Sequence, residues 1–207
     1  MPWIPPTDPL TREVLTKLGS PLTAVATGEI FDVPDFYSQF PRSEMSTLER
    51  QVEAAGARPE WRLEEVALID AEDSEEQKQA YEAACIKVDG YMVVPRCLDA
   101  YTVLAYQVAD FDGEPGSPDA TPAGDLDYAL AWTRAGISVL QQSLPYPFTG
   151  VLRYGYLDHR SAHRLLFAHA LLLRHRRSRQ AASWFRAMVY LDPNDNLGAR
   201  YCVSGKR

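Results

Sequence analysis

Ala181-Ala-Ser-Trp-Phe-Arg-Ala-Met-Val-Tyr-Leu-Asp-Pro-Asn-Asp-Asn-Leu-Gly-Ala-Arg-Tyr201 decides the fold. Ala181, Phe185, Met188 and Val189 recur at helical spacing and share a face, which Trp184 and Tyr190 widen. Asp192-Pro193 ends that helix, because proline has no N–H to donate and disfavours the α conformation in the residue before it. Asn194, Asp195 and Asn196 are turn and cap residues, so Asn194 or Asp195 is expected to cap a short last helix running to about Cys202. The stretch reads as helix, hard stop and new helix.

Upstream, the same pattern repeats. A long helix is expected from about Asp158 to Arg174, with Ala162, Leu165, Leu166, Ala170 and Leu173 facing inward. Asp125 is expected to cap another that runs to about Ser143, with Leu126, Ala129, Leu130, Thr133, Ile137 and Leu140 on one face. A third spans about Cys97 to Ala109, with Tyr101, Leu104, Ala105 and Val108 together. A fourth, after the acidic run Asp70–Glu76, is expected from about Ser74 to Val88, and acid at its first turn suits the helix dipole. Asp89-Gly90 marks a turn, Tyr91–Val94 is short and apolar, and residues 60–69 fit a strand or a helix. Residues 111–124 read as a flexible loop insertion, dense in Gly, Pro, Asp and Ser. Its acidic residues do not make a calcium loop, because Pro115 and Thr121 stand where Gly and Glu are needed.

Residues 1–60 are broken by eight prolines and read as an irregular arm with short helices. Thr11–Leu18 is one candidate, closed by Gly19; Ser46–Ala55 is the other, with Ser46 and Glu49 as a capping box and Gly56 as its end. The aromatic segment 30–40 argues for docking on the helical body over a free partner-binding arm. The expected organisation is therefore all-α: an arm over 1–60 and antiparallel helix hairpins over 61–207.

Charge is distributed unevenly. The net charge is −7, yet residues 1–150 hold 10 Lys and Arg against 25 Asp and Glu, and residues 151–207 hold 11 against 3. Opposite charge within one chain favours internal compensation over an acidic partner. The three cysteines lack CxxC spacing and read as reduced thiols. The start of the chain lacks the basic and apolar regions of a signal peptide, and no apolar run reaches about 18 residues. A cytoplasmic protein without a membrane partner is the expectation.

Two hairpins resemble tetratricopeptide repeats. Leu166, Ala170, Leu173, Ala181, Phe185 and Pro193 occupy the large, small, large, small, large and Pro positions of the last one. In the earlier one, Asp99–Ala105 resembles the opening helix and Ala129 the small position of the second. Residues 191–201 further resemble the Leu-Asn-Pro-Asn-Asp-Asn-Gln-Gly-x-Arg-Tyr ending of a tetratricopeptide-like family, which includes bacterial proteins and the suppression-of-tumorigenicity-seven type. Family members also carry Trp-Gly-x-x-Glu-Thr-Arg-Pro-Tyr-Met-Arg before the last hairpin. Residues 154–164 keep its Gly155, an acid at Asp158, Arg160 and Arg164, and replace its Trp, Thr, Pro and Tyr. The resemblance spans roughly residues 75–203. It implies a helical fold and protein–protein contacts, and no catalytic residue or cofactor.

Three groups of residues carry candidate chemistry. Asp158, Arg160 and Arg164 are expected to form an ion-pair network with the Asn194–Asn196 turn, Asp195 and Arg200 included, since arginine offers carboxylates a planar two-pronged donor. The network is expected to fix the last hairpin; a functional version would bind a carboxylate or phosphate. His159 and His163, one helical turn apart, are the nearest thing to a metal pair. No third ligand is evident and no Glu lies between them, so a polar helix face is favoured and no metal is expected. Arg174, His175, Arg176, Arg177 and Arg179 form a basic patch. Its shortness and the pI of about 5.1 favour a solvated turn over nucleic acid.

No nucleophile–base pair or phosphate loop stands out. The leading expectation is a non-catalytic helical-repeat scaffold or adaptor that binds a protein or peptide, with a homodimer as a way to cover its terminal faces. The alternatives are a nucleic-acid accessory protein using Arg174–Arg179, and a small-ligand or metal-binding enzyme using His159, Arg160, His163 and Arg164.

Overall fold

In a computed structural model, which describes residues 1–64, 73–115, 117 and 120–203, local capping chemistry sets the element boundaries. The Asp8 carboxylate accepts from the Thr11 amide and starts α1 (Pro9–Lys17). β1 (Thr23–Phe31) follows, and Asp32 caps α2 (Val33–Ser38). Ser46 and Glu49 form the expected capping box on α3 (Thr47–Ala54). β2 (Arg58–Glu64) then pairs antiparallel with β1, its register shifting between Ala26 and Ile30 where Gly28 takes φ +82°.

α4 (Glu75–Ala84) begins at Ser74 with a second capping box, to Gln77. The sequence predicts this helix to Val88. It ends earlier because Cys85 turns extended and Asp89-Gly90, both at positive φ, fold β3 (Ile86–Val88) against β4 (Tyr91–Val93). Two central residues at positive φ give the turn whose twist suits a tight hairpin. α5 (Leu98–Ala109), α6 (Leu126–Ser143, capped by Asp125), α7 (Leu157–His175), α8 (Ala181–Leu191) and the short α9 (Ala199–Cys202) complete the chain.

The fold is mostly helical, and the all-α expectation needs two corrections. Two small sheets are present among the described residues. The first spans the expected boundary at residue 60, since β2 crosses it and β1 lies before it. Residues 1–60 are also not an irregular arm. Their prolines sit where they do no harm, as Pro9 does in the first turn of α1. Leu10, Val14, Val33, Tyr37, Leu48 and Val52 join the same hydrophobic core as the C-terminal helices. The aromatic segment 30–40 is docked, with the buried Tyr37 hydroxyl donating to the Pro193 carbonyl at 3.2 Å. Of the expected stretch 60–69, residues 65–69 lie outside the described residues, as do 70–72 of the acidic run and 116, 118 and 119 of the loop.

α5 packs on α6, α6 on α7 and α7 on α8. Gly136 of α6 lets the first pair close up, because a Cβ there would stand 2.7 Å from the Tyr101 ring. α5 also touches α7 directly. Asp99 at the start of α5 binds Arg164, and Phe111 just past its end stacks edge-on against His175 at 5.3 Å. The contacts run in the same order along both helices, so α5 and α7 lie side by side and parallel. Leu166, Ala170, Leu173, Ala181 and Phe185 are all buried.

Candidate functional sites

The expected ion-pair network divides into two separate groups. On α7, the Arg164 guanidinium grips Asp99 of α5 with Nε and Nη2, Nε at 2.8 Å. Arg160 donates to the Tyr154 carbonyl at 3.3 Å and lies over that tyrosine's ring. Asp158 is exposed. Among the described residues no hydrogen bond or ion pair joins Asp158 or Arg160 to the Asn194–Asn196 turn, and the Arg164 ion pair runs to Asp99. Arg164 is turned toward α5, and Arg160 toward Tyr154.

The second group is the corner after Pro193. Asp195, at φ +49°, accepts from the amides of Ala199 and Arg200, both at 2.8 Å, so it caps α9 from outside. It also accepts Arg200 Nε at 2.9 Å. Arg200 Nη2 reaches the Pro193 and Asn194 carbonyls, each at 3.1 Å, and Nη1 binds Glu49 of α3. Asn194 instead donates to Asn196. Asp192 is 3% exposed, and burial pushes its carboxyl up to about 6, against backbone N–H groups of Tyr154, Asn194 and Asn196 that pull it down.

The two histidines at the start of α7, His159 and His163, are bound by backbone. His159 accepts the Leu63 amide on Nε2 and uses Nδ1 on the Arg153 carbonyl, which fixes it as a neutral ring with the proton on Nδ1. His163 Nε2 meets the Leu152 carbonyl at 2.6 Å, and burial drops its pKa to about 4. These bonds tie the β2 and 150–153 strands of chain to α7 and occupy both nitrogens of His159 and Nε2 of His163. Among the described residues no cluster of three or more metal-ligating side chains forms.

The basic patch is dispersed. Arg174 lies over Phe185 and reaches Cys202 Sγ, His175 packs on Phe111, and Arg176 binds Asp127 at 2.7 Å. Arg177 takes the turn conformation at φ +56°, and Arg179 follows it into α8. The charge asymmetry is answered internally: Arg153–Glu60, Arg164–Asp99, Arg176–Asp127 and Arg200–Glu49 all join the basic part to the acidic one.

Two cavities appear that the sequence reading did not single out. One, of about 520 Å³, lies between residues 2–8 and helices α6, α7 and α8, with Arg134, His169 and Trp184 in its wall. The other, of about 450 Å³, is lined by Arg58, Phe148, Tyr190 and Leu191. The only sequence signal for the first was His169, one of four histidines clustered after residue 158. Nothing local marked Arg58. No family model, curated protein or solved structure matches the chain. Among the described residues no helix is long and apolar enough to cross a membrane.

Proposed function

We propose that the chain is a non-catalytic adaptor of tetratricopeptide-like type, and that it holds an acidic stretch of a partner protein on the face shared by α5 and α7. Support for the repeat-like reading comes from the packing. α5/α6 and α7/α8 are antiparallel hairpins, and their first helices run parallel in contact, as stacked repeats require. Gly136 and the buried Ala129, Ala170 and Ala181 supply the small contacts between helices.

The observation that carries the functional reading is the composition of the α5/α7 face. Arg160, Arg164 and Arg174 recur along one stripe of α7, with Arg164 on Asp99 of α5 and Arg174 over Phe185 of α8, and one turn on from Asp99 the apolar Val103 of α5 is 52% exposed. Arginine beside apolar surface is the composition of interface cores, and its planar donors suit carboxylates. Arg164 already holds Asp99 in this way, so the face carries its own example of the contact. A cytoplasmic setting goes with this reading, because none of the three cysteines is in a disulfide.

A photo-crosslinking residue at Val103 tests the proposal in native lysate. The expected result is one dominant protein adduct, lost when Arg160 and Arg174 are both changed to Glu while the circular dichroism spectrum is kept. An adduct that survives both reversals, or none at all, rejects it.

A further inference from the structure

The 520 Å³ cavity beside α1 is lined by Trp3, Asp8, Arg134, His169, Ser183 and Trp184, among others. His169 is only 3% exposed, and its Nδ1 lies 2.8 Å from the Thr133 hydroxyl. That hydroxyl has one proton, and the Leu130 carbonyl at 3.1 Å can only accept it. Both contacts are satisfied when Thr133 donates to Leu130 and His169 Nδ1–H donates to Thr133. The tautomer is then fixed, and Nε2 carries a lone pair. Nε2 has no partner among the described residues, and it is the ring's remaining polar atom in a wall of the cavity. The ring is braced edge-on by Trp184 at 4.9 Å.

Arg134 is the second half of the arrangement. It donates no hydrogen bond to any described residue, and its nearest carboxylate, Asp8, stands 3.9 Å away. Asp8 is committed elsewhere: its two oxygens hold the Thr11 amide at 2.9 Å and the Thr11 hydroxyl at 2.7 Å, at the start of α1. A new anion at Arg134 therefore displaces no hydrogen-bonded pair. Trp3, 47% exposed, supplies a flat apolar wall.

We infer that this cavity binds a small aromatic acid: its carboxylate on Arg134, its ring against Trp3, and an O–H or N–H donated to Nε2 of His169. The volume is in the range of small-molecule sites, and the mix of apolar wall with a few convergent polar groups is their usual composition. Burial, with the Arg134 charge adding to it, holds the imidazole neutral down to about pH 3, so Nε2 stays an acceptor at any physiological pH. The site does not rest on the adaptor reading, and the α5/α7 face is not part of it.

Calorimetry of the whole chain with 4-hydroxyphenylacetate, indole-3-acetate, phenylacetate and tyramine tests this. The first two should saturate. Phenylacetate, which lacks the donor, should bind about 2- to 10-fold more weakly than its hydroxyl analogue, the worth of one neutral hydrogen bond. Tyramine, a cation, should not bind. Arg134→Met should weaken the acids roughly 10- to 100-fold, as expected for a charge-assisted contact. Trp3→Ala should weaken them less; both side chains are partly exposed, so folding is expected to survive and is checked by circular dichroism. Nitrogen-15 spectra of the ring should show the proton on Nδ1 and a shift of Nε2 on binding. Failure of both donor-bearing acids to saturate by about 10 mM, unchanged affinity in Arg134→Met, or a proton on Nε2 in the free protein would each overturn the inference.

Discussion

Arg200 and Arg58 are both pulled out of water near Tyr37, and the fold treats them oppositely. Arg200 is matched on every side: Asp195 on Nε, Glu49 on Nη1, two carbonyls on Nη2. Arg58 is 8% exposed and, among the described residues, donates only through Nη1, to the Tyr190 carbonyl, while its buried Nε and Nη2 find no hydrogen-bond partner there. That same Nε/Nη2 edge is the one Arg164 uses to hold Asp99. A fully matched buried charge makes a joint; a half-matched one is a standing cost, because desolvation is repaid only by good partners. The difference teaches that burial of an arginine says little about stability until its donors are accounted for.

Removing the carboxylate at the matched corner should have the largest effect. Asp195→Ala removes one of the two carboxylates on Arg200 and uncaps α9, and should cost about 2–4 kcal/mol in chemical denaturation. A loss under about 1 kcal/mol would mean that the corner is not a joint.

Acidification should have the next largest effect. His163 and His169 titrate near 4 and 3 in the fold against 6.5 unfolded, so below pH 6.5 the unfolded chain takes up protons that the native one refuses. Asp192 works the other way, since its raised value of about 6 lets the native state bind a proton first. Between pH 6 and 4 these three groups leave one proton's worth, about 1.4 kcal/mol lost per pH unit as pH drops, and His159 and His175, also lowered by burial, add to the fall. In Asp192→Asn the offset is gone, and the slope should steepen by about 1.4 kcal/mol per pH unit. An unchanged slope would show that the Asp192 carboxyl does not titrate late.

The smallest effect should come from the half-matched arginine. Arg58→Met exchanges an under-partnered charge for apolar volume and should leave stability within about 1 kcal/mol of the parent, or raise it. A loss as large as that of Asp195→Ala would erase the contrast between the two arginines.

What the sequence made legible was what acts within one turn. Ser46 with Glu49, Asp125 at the head of α6, and the stripe through Leu166, Ala170 and Leu173 report spacing along a single helix, and spacing is in the sequence. Partner choice across the fold is not. Arg164 was expected to meet the Asn194 turn and instead meets Asp99, because which stripe of α7 faces which neighbour depends on packing. β1 is invisible as a strand until β2, ambiguous over 60–69, is laid beside it. The cavity at His169 depends on residues 2–8 folding over α6, which no local rule supplies.

The Glu49 carboxylate has one oxygen on the Ser46 amide and the other on Arg200. It thereby fastens the first turn of an early helix to a residue 151 positions later. The latch closes only once residue 200 has left the ribosome, so until then the early part of the core is held without it. Amide exchange at Ser46, read in the finished protein, should therefore respond to a change at Arg200.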